Sequence, residues 1–312
     1  MVNSSFSTVL PTLQLAWDST SLGALKTCGR FYQYELIEGW TPKRPSVHLV
    51  FGQIFHSALE EYDRARFLGV DHEGATIVAV RVVLEQTWNK SLNRPITWDD
   101  KNKNRFTLLR SIVWYLEQFK IDPIETVRLA NGRPAVELSF RYENGYTSTL
   151  TGEPFLSCGH MDRLGTLNGQ TYIVDRKTTK STISQDFFGK FSPDNQFSQY
   201  VLASKIVYGL PVAGLIVDAA QVAITFSAFQ RGFITRTPAQ IEEWHQDLGH
   251  WLQLAERYAA NNYWPMNDKS CNNYGGCRYR GICSKSPQVR QQWLEADYNK
   301  RVWDPLQIRG DV

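Results

Sequence analysis

The sequence predicts an α/β or α+β domain with a helical part inserted or appended, and three observations lead there. Apolar residues repeat at helical spacing through the first third, alternate with period two through the middle, and return to helical spacing afterwards. The alternating runs are separated by turn signals: Asn-Gly, Thr-Gly-Glu-Pro and a second Asn-Gly. The resulting order is helices, strands, helix, strands, helix, in a chain of 312 residues, enough for one large domain or two small ones.

The stretch "DSTSLGALKTCGRFYQYELIEGW" opens on capping-type residues and carries apolar and aromatic side chains at helical spacing, which predicts a first helix. "LVFGQIFHSALEEYDRARFLG", "HEGATIVAVRVVLEQTWNKSL" and "NRFTLLRSIVWYLEQFK" predict three more, with "NRPITWDDKNKN" as a polar loop. "PAVELSFRYE", "YTSTL", "LSCGHMDRLGTL" and "TYIVDRKTT" predict short strands. "PDNQFSQYVLASKIVYG" predicts a helix, and "AGLIVDAAQVAITFSAFQRGFITRT" further strands. "TPAQIEEWHQDLGHWLQLAERYAANN" predicts a long helix, and the region of "PQVRQQWLEADYNK" a short charged one.

Composition removes several function classes. No apolar run is long enough to span a bilayer. The first residues lack a basic segment followed by an apolar core, so no secretory signal is expected. Five cysteines in such a chain point to a reducing, cytoplasmic setting rather than a disulfide scaffold. The net charge of +3 is compatible with an anionic partner and requires none.

The residues richest in chemistry lie in "CGHMDRLGTLNGQTYIVDRKTTK". Read as two strands joined by the Asn-Gly turn, it puts Asp162 on the first strand and Asp175 with Lys177 on one face of the second. Ile173 and Val174 predict partial burial, where ionised carboxylates need a partner or a metal. Two carboxylates and a lysine suit Mg²⁺ or Mn²⁺, with the metal lowering the pKa of bound water. On spacing alone, Asp-x-Lys more often marks a solvated surface pair. His56 lies four residues after Gly52 and four before Glu60, on one helix face. Gly52 there would admit a close approach by backbone or ligand. Gln196 and Tyr200 likewise share a helix face. Glu137, in "AVELSF", points either to solvent or into a site. Cys271, Cys277 and Cys283 are each separated by five residues, which leaves three thiols where a soft metal site usually takes four. Cys158 reads as a buried core thiol.

Taken in order, Cys28 in "LKTCGRFYQYELIEG", His56 in "GQIFHSALE", Gly159 and Asp162 in "GHMD", Asp175 and Lys177 in "VDRKT", Gln196 and Tyr200 in "QFSQY", and the three late cysteines resemble the RecB-type branch of the PD-(D/E)xK nucleases. More narrowly, the chain resembles the branch carrying an iron–sulfur cluster, typified by CRISPR-associated RecB-like exonucleases and phage and eukaryotic relatives. The resemblance runs from about Leu13 to Ser284, and its specificity lies in the ordered set rather than in one motif. It implies a restriction-endonuclease-like core of mixed β-sheet flanked by helices over residues 126–235. Residues 1–125 would be a helical region bearing the first cluster cysteine and the motif histidine. Residues 236–312 would be a C-terminal helix and iron–sulfur segment closing on it, all in one integrated domain.

The resemblance also implies roles. Cys28 would join Cys271, Cys277 and Cys283 in holding a [4Fe–4S] cluster. Family members often set two of the late cysteines close together, whereas both gaps here are longer. Zn²⁺ is the runner-up, although the tight knuckle usual for zinc is absent. Asp162 and Asp175 would bind Mg²⁺ or Mn²⁺, with His56 as a further ligand, the Arg176 carbonyl completing the shell and Glu137 an outer ligand. Lys177 would position the attacking water, and Gln196 and Tyr200 would hold the site or the substrate strand. The reaction would be phosphodiester hydrolysis. The partner would be DNA, single-stranded with a free end, threaded through a ring that the cluster closes, in recombination, repair or phage DNA processing. A partner-directed endonuclease and a catalytically quiet DNA-binding repair subunit are the alternatives. Basic residues near the site (Arg163, Arg176, Lys177, Lys180), in the loop with Lys101, Lys103 and Arg105, and around the cysteines would meet phosphates. Tyr274 and Tyr279 stand in the cysteine segment as candidates for stacking on bases, though most aromatics are expected in the core.

Overall fold

The computed structural model describes residues 4–307 except 9 and 45. Its sheet strands are β1 (Ala16–Trp17), β2 (Glu125–Thr126), β3 (Val136–Thr147), β4 (Pro154–Leu167), β5 (Gln170–Thr179), β6 (Gly214–Val222) and β7 (Ser227–Ile234). The longer helices are α1 (Ser19–Thr27), α2 (Val47–Phe67), α3 (His72–Gln86), α4 (Arg105–Gln118), α5 (Asn195–Tyr208), α6 (Pro238–Ala260) and α7 (Arg290–Asp297). The strands pair in the order β1-β4-β5-β6-β7, with β2 and β3 also on β4. β4 and β5 are antiparallel, β5 and β6 parallel, and β6 and β7 antiparallel, so the sheet is mixed as expected.

The connections explain the topology. Asn168 and Gly169 both have positive φ, 50° and 76°, which is the two-residue turn that matches the twist of a hairpin. That turn sets the β4–β5 register, from Leu167 opposite Gln170 to Arg163 opposite Val174. The parallel step from β5 to β6 needs a crossover, and α5 lies within it. Asp194 caps α5 by accepting the Phe197 N–H, and Gly209, at φ 65°, ends it.

The chain divides into two compact units. One comprises Pro45–Leu138 and His160–Arg236. Its core is formed by Phe51, Phe55 and Leu59 of α2 and Leu108 and Ile112 of α4, packed with Ala220 and Val222 of β6. The other comprises Met1–Arg44, Ser139–Gly159 and Thr237–Ile308. It contains α6, started by a Thr237 cap and Pro238, and a cluster of Tyr34, Trp40, Tyr279, Ile282 and Leu294.

Three elements depart from the sequence expectation. The first helix is broken at Cys28, whose backbone is extended at φ −169° and ψ 124°. A short turn, Gly29–Tyr32, and a π-helical turn, Gln33–Ile37, follow. The break lets Arg30 N–H donate to the Pro265 carbonyl at 3.0 Å, while a Cβ at Gly29 would stand 3.0 Å from the same oxygen. Second, Asn144-Gly145 lies inside β3 and is no hairpin turn; Asn144 Oδ1 accepts the Tyr146 N–H locally, Gly145 takes φ 87°, and the strand continues. The reversal comes at 148–153, closed by Ser148 N–H to Glu153 O at 2.8 Å. Third, α3 ends at Gln86, and Trp88–Asn89 pairs with Arg94–Pro95 instead.

Candidate active site

The unit containing α2 assembles the expected polar residues from four elements. Asp162 lies on β4, Asp175 and Lys177 on β5, His56 on α2, and Gln196 and Tyr200 on α5. One step beyond the Arg163–Val174 pair brings Asp162 opposite Asp175. Asp162 Oδ2 accepts the Arg176 N–H at 2.7 Å and lies 3.2 Å from His56 Nδ1. Lys177 Nζ stands 2.7 Å from Asp175 Oδ2 and donates to Gln196 Oε1 at 2.9 Å. Gln196 Nε2 in turn donates to the Tyr200 hydroxyl at 2.8 Å. The i, i+4 spacing of Gln196 and Tyr200 thus fixes the amide that holds the lysine.

Burial sets the charge states. Asp175 is 1 % exposed. Burial and the neighbouring Asp162 charge raise its pKa to about 6, against the pull of Lys177 and His56. For Asp162 burial acts upward too, yet His56, Lys177 and the Arg176 N–H outweigh it and hold the carboxyl well below the usual range. Burial acts downward on Lys177, but Asp175 and Asp162 outweigh it, so the ammonium stays charged. His56 is also raised, because Asp162 outweighs burial. The two carboxylates are therefore balanced by two cations.

Glu137 lies at the start of β3 with φ 49°, a left-handed conformation costly for a side chain of this kind. Its charge reaches Tyr200, whose hydroxyl pKa is raised chiefly by burial and by Asp175 and Asp162. A Cβ at Gly52 would meet Thr178 Oγ1 at 3.7 Å, an ordinary contact, so no other part of the chain needs that glycine for a close approach. Gly159 is different: a Cβ there would stand 2.9 Å from the Phe140 ring.

The next residue of each strand points to the other face, and the sequence reading missed what happens there. Arg163 and Arg176, expected to meet phosphates, are buried instead. Arg176 Nη2 lies 2.6 Å from Asp63 Oδ2, and Arg163 Nη1 lies 3.5 Å from Asp63 Oδ1. Asp63 is on α2, seven residues after His56. The signal is present in the alternation, since a basic residue following each acidic one must face away from it, but nothing in the helix period singles out Asp63 as the partner.

The cysteines lie in the other unit. No disulfide joins any of the five. Among the described residues, no three His, Cys, Asp or Glu side chains converge into a ready-made metal-binding group. Cys28 Sγ accepts the Asn267 N–H at 3.3 Å, and Cys277 N–H donates to the Cys271 carbonyl at 2.9 Å. Burial raises the Cys277 thiol, and Cys271 and Cys28 raise it further. Cys283 is likewise raised by burial, with Cys277 and Cys28 adding to it against Arg30 and Arg290. Cys277 thus feels Cys271 and Cys28, and Cys283 feels Cys277 and Cys28. Tyr279 is buried in the Tyr34–Trp40 cluster, so it is core and presents no face to a base. The Tyr274 side chain lies outside the described set. Cys158 is buried as expected.

The sequence profile of the PD-(D/E)XK nuclease superfamily matches residues 17–284. The chain belongs to this superfamily. A crystal structure described as a "Putative exonuclease" from Eubacterium rectale superimposes on this nuclease with a TM-score of 0.50 at 12 % identity, covering 89 % of this chain and 92 % of that one. A crystal structure of SSO0001 gives a TM-score of 0.32 at 11 % identity, with 77 % of each chain covered. No curated protein matches the chain. Superfamily membership makes the chain a nuclease acting on DNA, and such nucleases typically use Mg²⁺ or Mn²⁺. The site fits a hard cation: the Asp175 carboxylate is buried beside that of Asp162, and the Lys177 ammonium at 2.7 Å from Oδ2 is the nearest group that offsets its charge. No helix among the described residues is long and apolar enough to cross a membrane.

Proposed function

We propose that this nuclease is a metal-dependent deoxyribonuclease that shortens single-stranded DNA from a free end, in the cytoplasm, during recombination, repair or phage DNA processing. The observation that carries the hydrolytic reading is the grouping of Asp162 on β4, Asp175 and Lys177 on β5 and His56 on α2, linked by the contacts of Asp162 to His56 and of Asp175 to Lys177. Asp162 and Asp175 would hold Mg²⁺ or Mn²⁺, with His56, the Arg176 carbonyl and Glu137 as further donors. When bound, the ion supplies Lewis acidity and a more acidic water. Lys177 remains an ammonium, so it orients the nucleophile and offsets charge on the phosphate rather than acting as the base. Gln196 and Tyr200 fix its direction. His56 pairs with Asp162 and must give up its proton to serve as a ligand. The choice of exonuclease rests on the name of the Eubacterium rectale neighbour and on the sequence resemblance.

End-labelled linear and circular DNA, single- and double-stranded, with Mg²⁺ or Mn²⁺, tests this reading. Linear single strands should shorten from one end, circles should survive, and Asp175→Ala protein should be inert. Cutting of circles would replace the exonuclease by an endonuclease.

The same proposal includes a [4Fe–4S] cluster on Cys28, Cys271, Cys277 and Cys283. Thiolates are the donors such a cluster takes. The placement of all four cysteines in one unit supports it, with Cys277 and Cys283 each within reach of Cys28, as does the backbone N–H that Asn267 directs at Cys28 Sγ. The cluster would join the break after α1 to the segment after α6. Anaerobically purified Cys28→Ser protein should lose most of its bound iron and sulfide. Iron content equal to wild type would remove Cys28 from the ligand set.

A further inference from the structure

Two basic patches, far apart in sequence, meet next to β5. Lys103 Nζ donates to Thr178 Oγ1 at 3.0 Å, one residue beyond Lys177. Lys180 Nζ lies 3.3 Å from Asp100 Oδ2, and His48 Nε2 lies 4.0 Å from the same oxygen. Lys180 and His48 therefore share one carboxylate, while the Lys103 ammonium is held by Thr178 beside them. Asp100 is already committed to its own loop, since its Oδ1 accepts the N–H groups of Asn102 and Lys103, each at 2.8 Å.

The three bases differ in access. Lys103 is 4 % exposed, with its ammonium 5.1 Å from the Phe51 ring centroid. The side chains of Lys180 and His48 are 40 % and 50 % exposed. Burial and the charge of Lys180 push the Lys103 pKa down to about 8. His48 is pushed down by burial and by both lysines. Positive charge held this way, with too little negative charge around it, is relieved by an incoming anion. His48 also sits in the first turn of α2, whose N-cap Ser46 makes no side-chain hydrogen bond, so the helix dipole adds to the same field.

The position ties the cluster to the catalytic residues. His48, Gly52 and His56 follow one another at four-residue spacing on one face of α2. Thr178, which holds Lys103, is the residue beside Gly52. Eight residues, about 12 Å of rise, separate His48 from His56, so the cluster flanks the candidate site along α2 at a distance a DNA strand passing through that site would span.

We propose that Lys180 and His48, backed by the buried Lys103, form a cradle for a backbone phosphate flanking the scissile one on a single DNA strand. The proposal rests on the nuclease reading and names where its substrate strand runs. Lys180 and His48 contact the phosphate oxygens, and Lys103 supplies field from beneath.

The test is the salt dependence of binding of a labelled oligothymidylate, measured by anisotropy in the Asp175→Ala background. Each phosphate contact on a single strand contributes about 0.7 to the slope of log affinity against log salt. Adding Lys180→Met should lower the slope by about that amount. The affinity ratio between parent and variant should then shrink about threefold between 50 and 200 mM salt. Lys103→Met should weaken binding in the same direction. Lys205→Met, which removes an exposed charge elsewhere, is the control and should leave the slope unchanged. If Lys180→Met behaves like the control, or the control falls as far as Lys180→Met, the cradle is overturned while the nuclease reading stands. If the Asp175→Ala parent binds no oligothymidylate at any salt, both fall together.

Discussion

Replacing Asp175 by Asn will abolish DNA cleavage and, in the presence of a chelator, make the protein harder to unfold at neutral pH. The first effect follows from losing a buried carboxylate opposite Asp162. Removing one preorganised electrostatic partner typically costs about 10²–10³-fold in rate, and loss of a metal donor should cost at least that. The second effect follows from linkage. The Asp175 carboxyl is raised from 3.8 to about 6, so the folded protein binds its proton more tightly than the unfolded chain does. Metal-free stability therefore falls as pH rises from about 4 through 6, and the full cost is present above that. His56, also raised, works in the same direction at slightly higher pH. Asp162 is held low and is ionised in folded and unfolded chains alike above about pH 5, so it does not contribute in this window. At 1.36 kcal/mol per unit, the ionised Asp175 destabilises the metal-free fold by something on the order of 3 kcal/mol. Thermal melts in chelator should show Asp175→Asn a few degrees above wild type at pH 7.5, with the gap closing near pH 4.5. Added Mg²⁺ should raise the wild type and leave the variant where it was. A variant that melts below wild type at pH 7.5 in chelator would mean that Lys177, not the burial of Asp175, dominates the site.

Much of the fold was legible because two periods carry it. Alternation in residues 154–179 and the Asn168-Gly169 turn gave the β4–β5 hairpin, and the hairpin alone places Asp162 opposite Asp175. The i, i+4 spacing of Gln196 and Tyr200 gave their shared face, though not that Gln196 would grip Lys177. Local pattern was misleading where a tertiary contact overrode it. Asn144-Gly145 has hairpin chemistry, yet the strand runs through it, because Asn144 Oδ1 satisfies the local backbone and the reversal is made at 148–153. The helix through Cys28 is periodic in sequence, but Arg30 binds the carbonyl of Pro265, some 235 residues away, which no periodicity encodes. Arg163 and Arg176 were read as phosphate contacts from charge alone; their burial depends on Asp63, a partner on another element. Conversely, Lys103 and Lys180 fall in separate patches of the sequence, and only folding brings Lys103 against Thr178 and Lys180 against Asp100 in the same neighbourhood.

The last case concerns the face of the sheet behind the site, where Asp63→Ala should cost about 3–5 kcal/mol, the usual loss on removing one partner of a buried ion pair. Arg176 is the group most exposed to that loss. Its Nη2 lies 2.6 Å from Asp63 Oδ2, and its Nε has no other partner in the buried interior. Arg163 is better insured, since Asp122 Oδ2 lies 3.6 Å from its Nη1. Each arginine directly follows an aspartate of the candidate site, and Asp63 lies two turns from His56 on α2. One carboxylate thereby anchors the helix bearing His56 to both strands bearing the acidic pair. The pair need not be a net source of stability, because an apolar replacement of both partners is often neutral or better. A Asp63→Leu/Arg176→Met double variant should therefore recover most of the stability lost in Asp63→Ala. If the ion pair serves only the fold, that double variant will cleave DNA at the wild-type rate. If it fixes the angle between α2 and the strands, the double variant will be stable and slow, with the loss in kcat rather than in KM, because misplacement by a fraction of an ångström acts on the reacting geometry. Urea unfolding and single-turnover cleavage of the same three proteins separate these outcomes. An Asp63→Ala protein within 1 kcal/mol of wild type would show that water reaches Arg176 and that the clamp carries little.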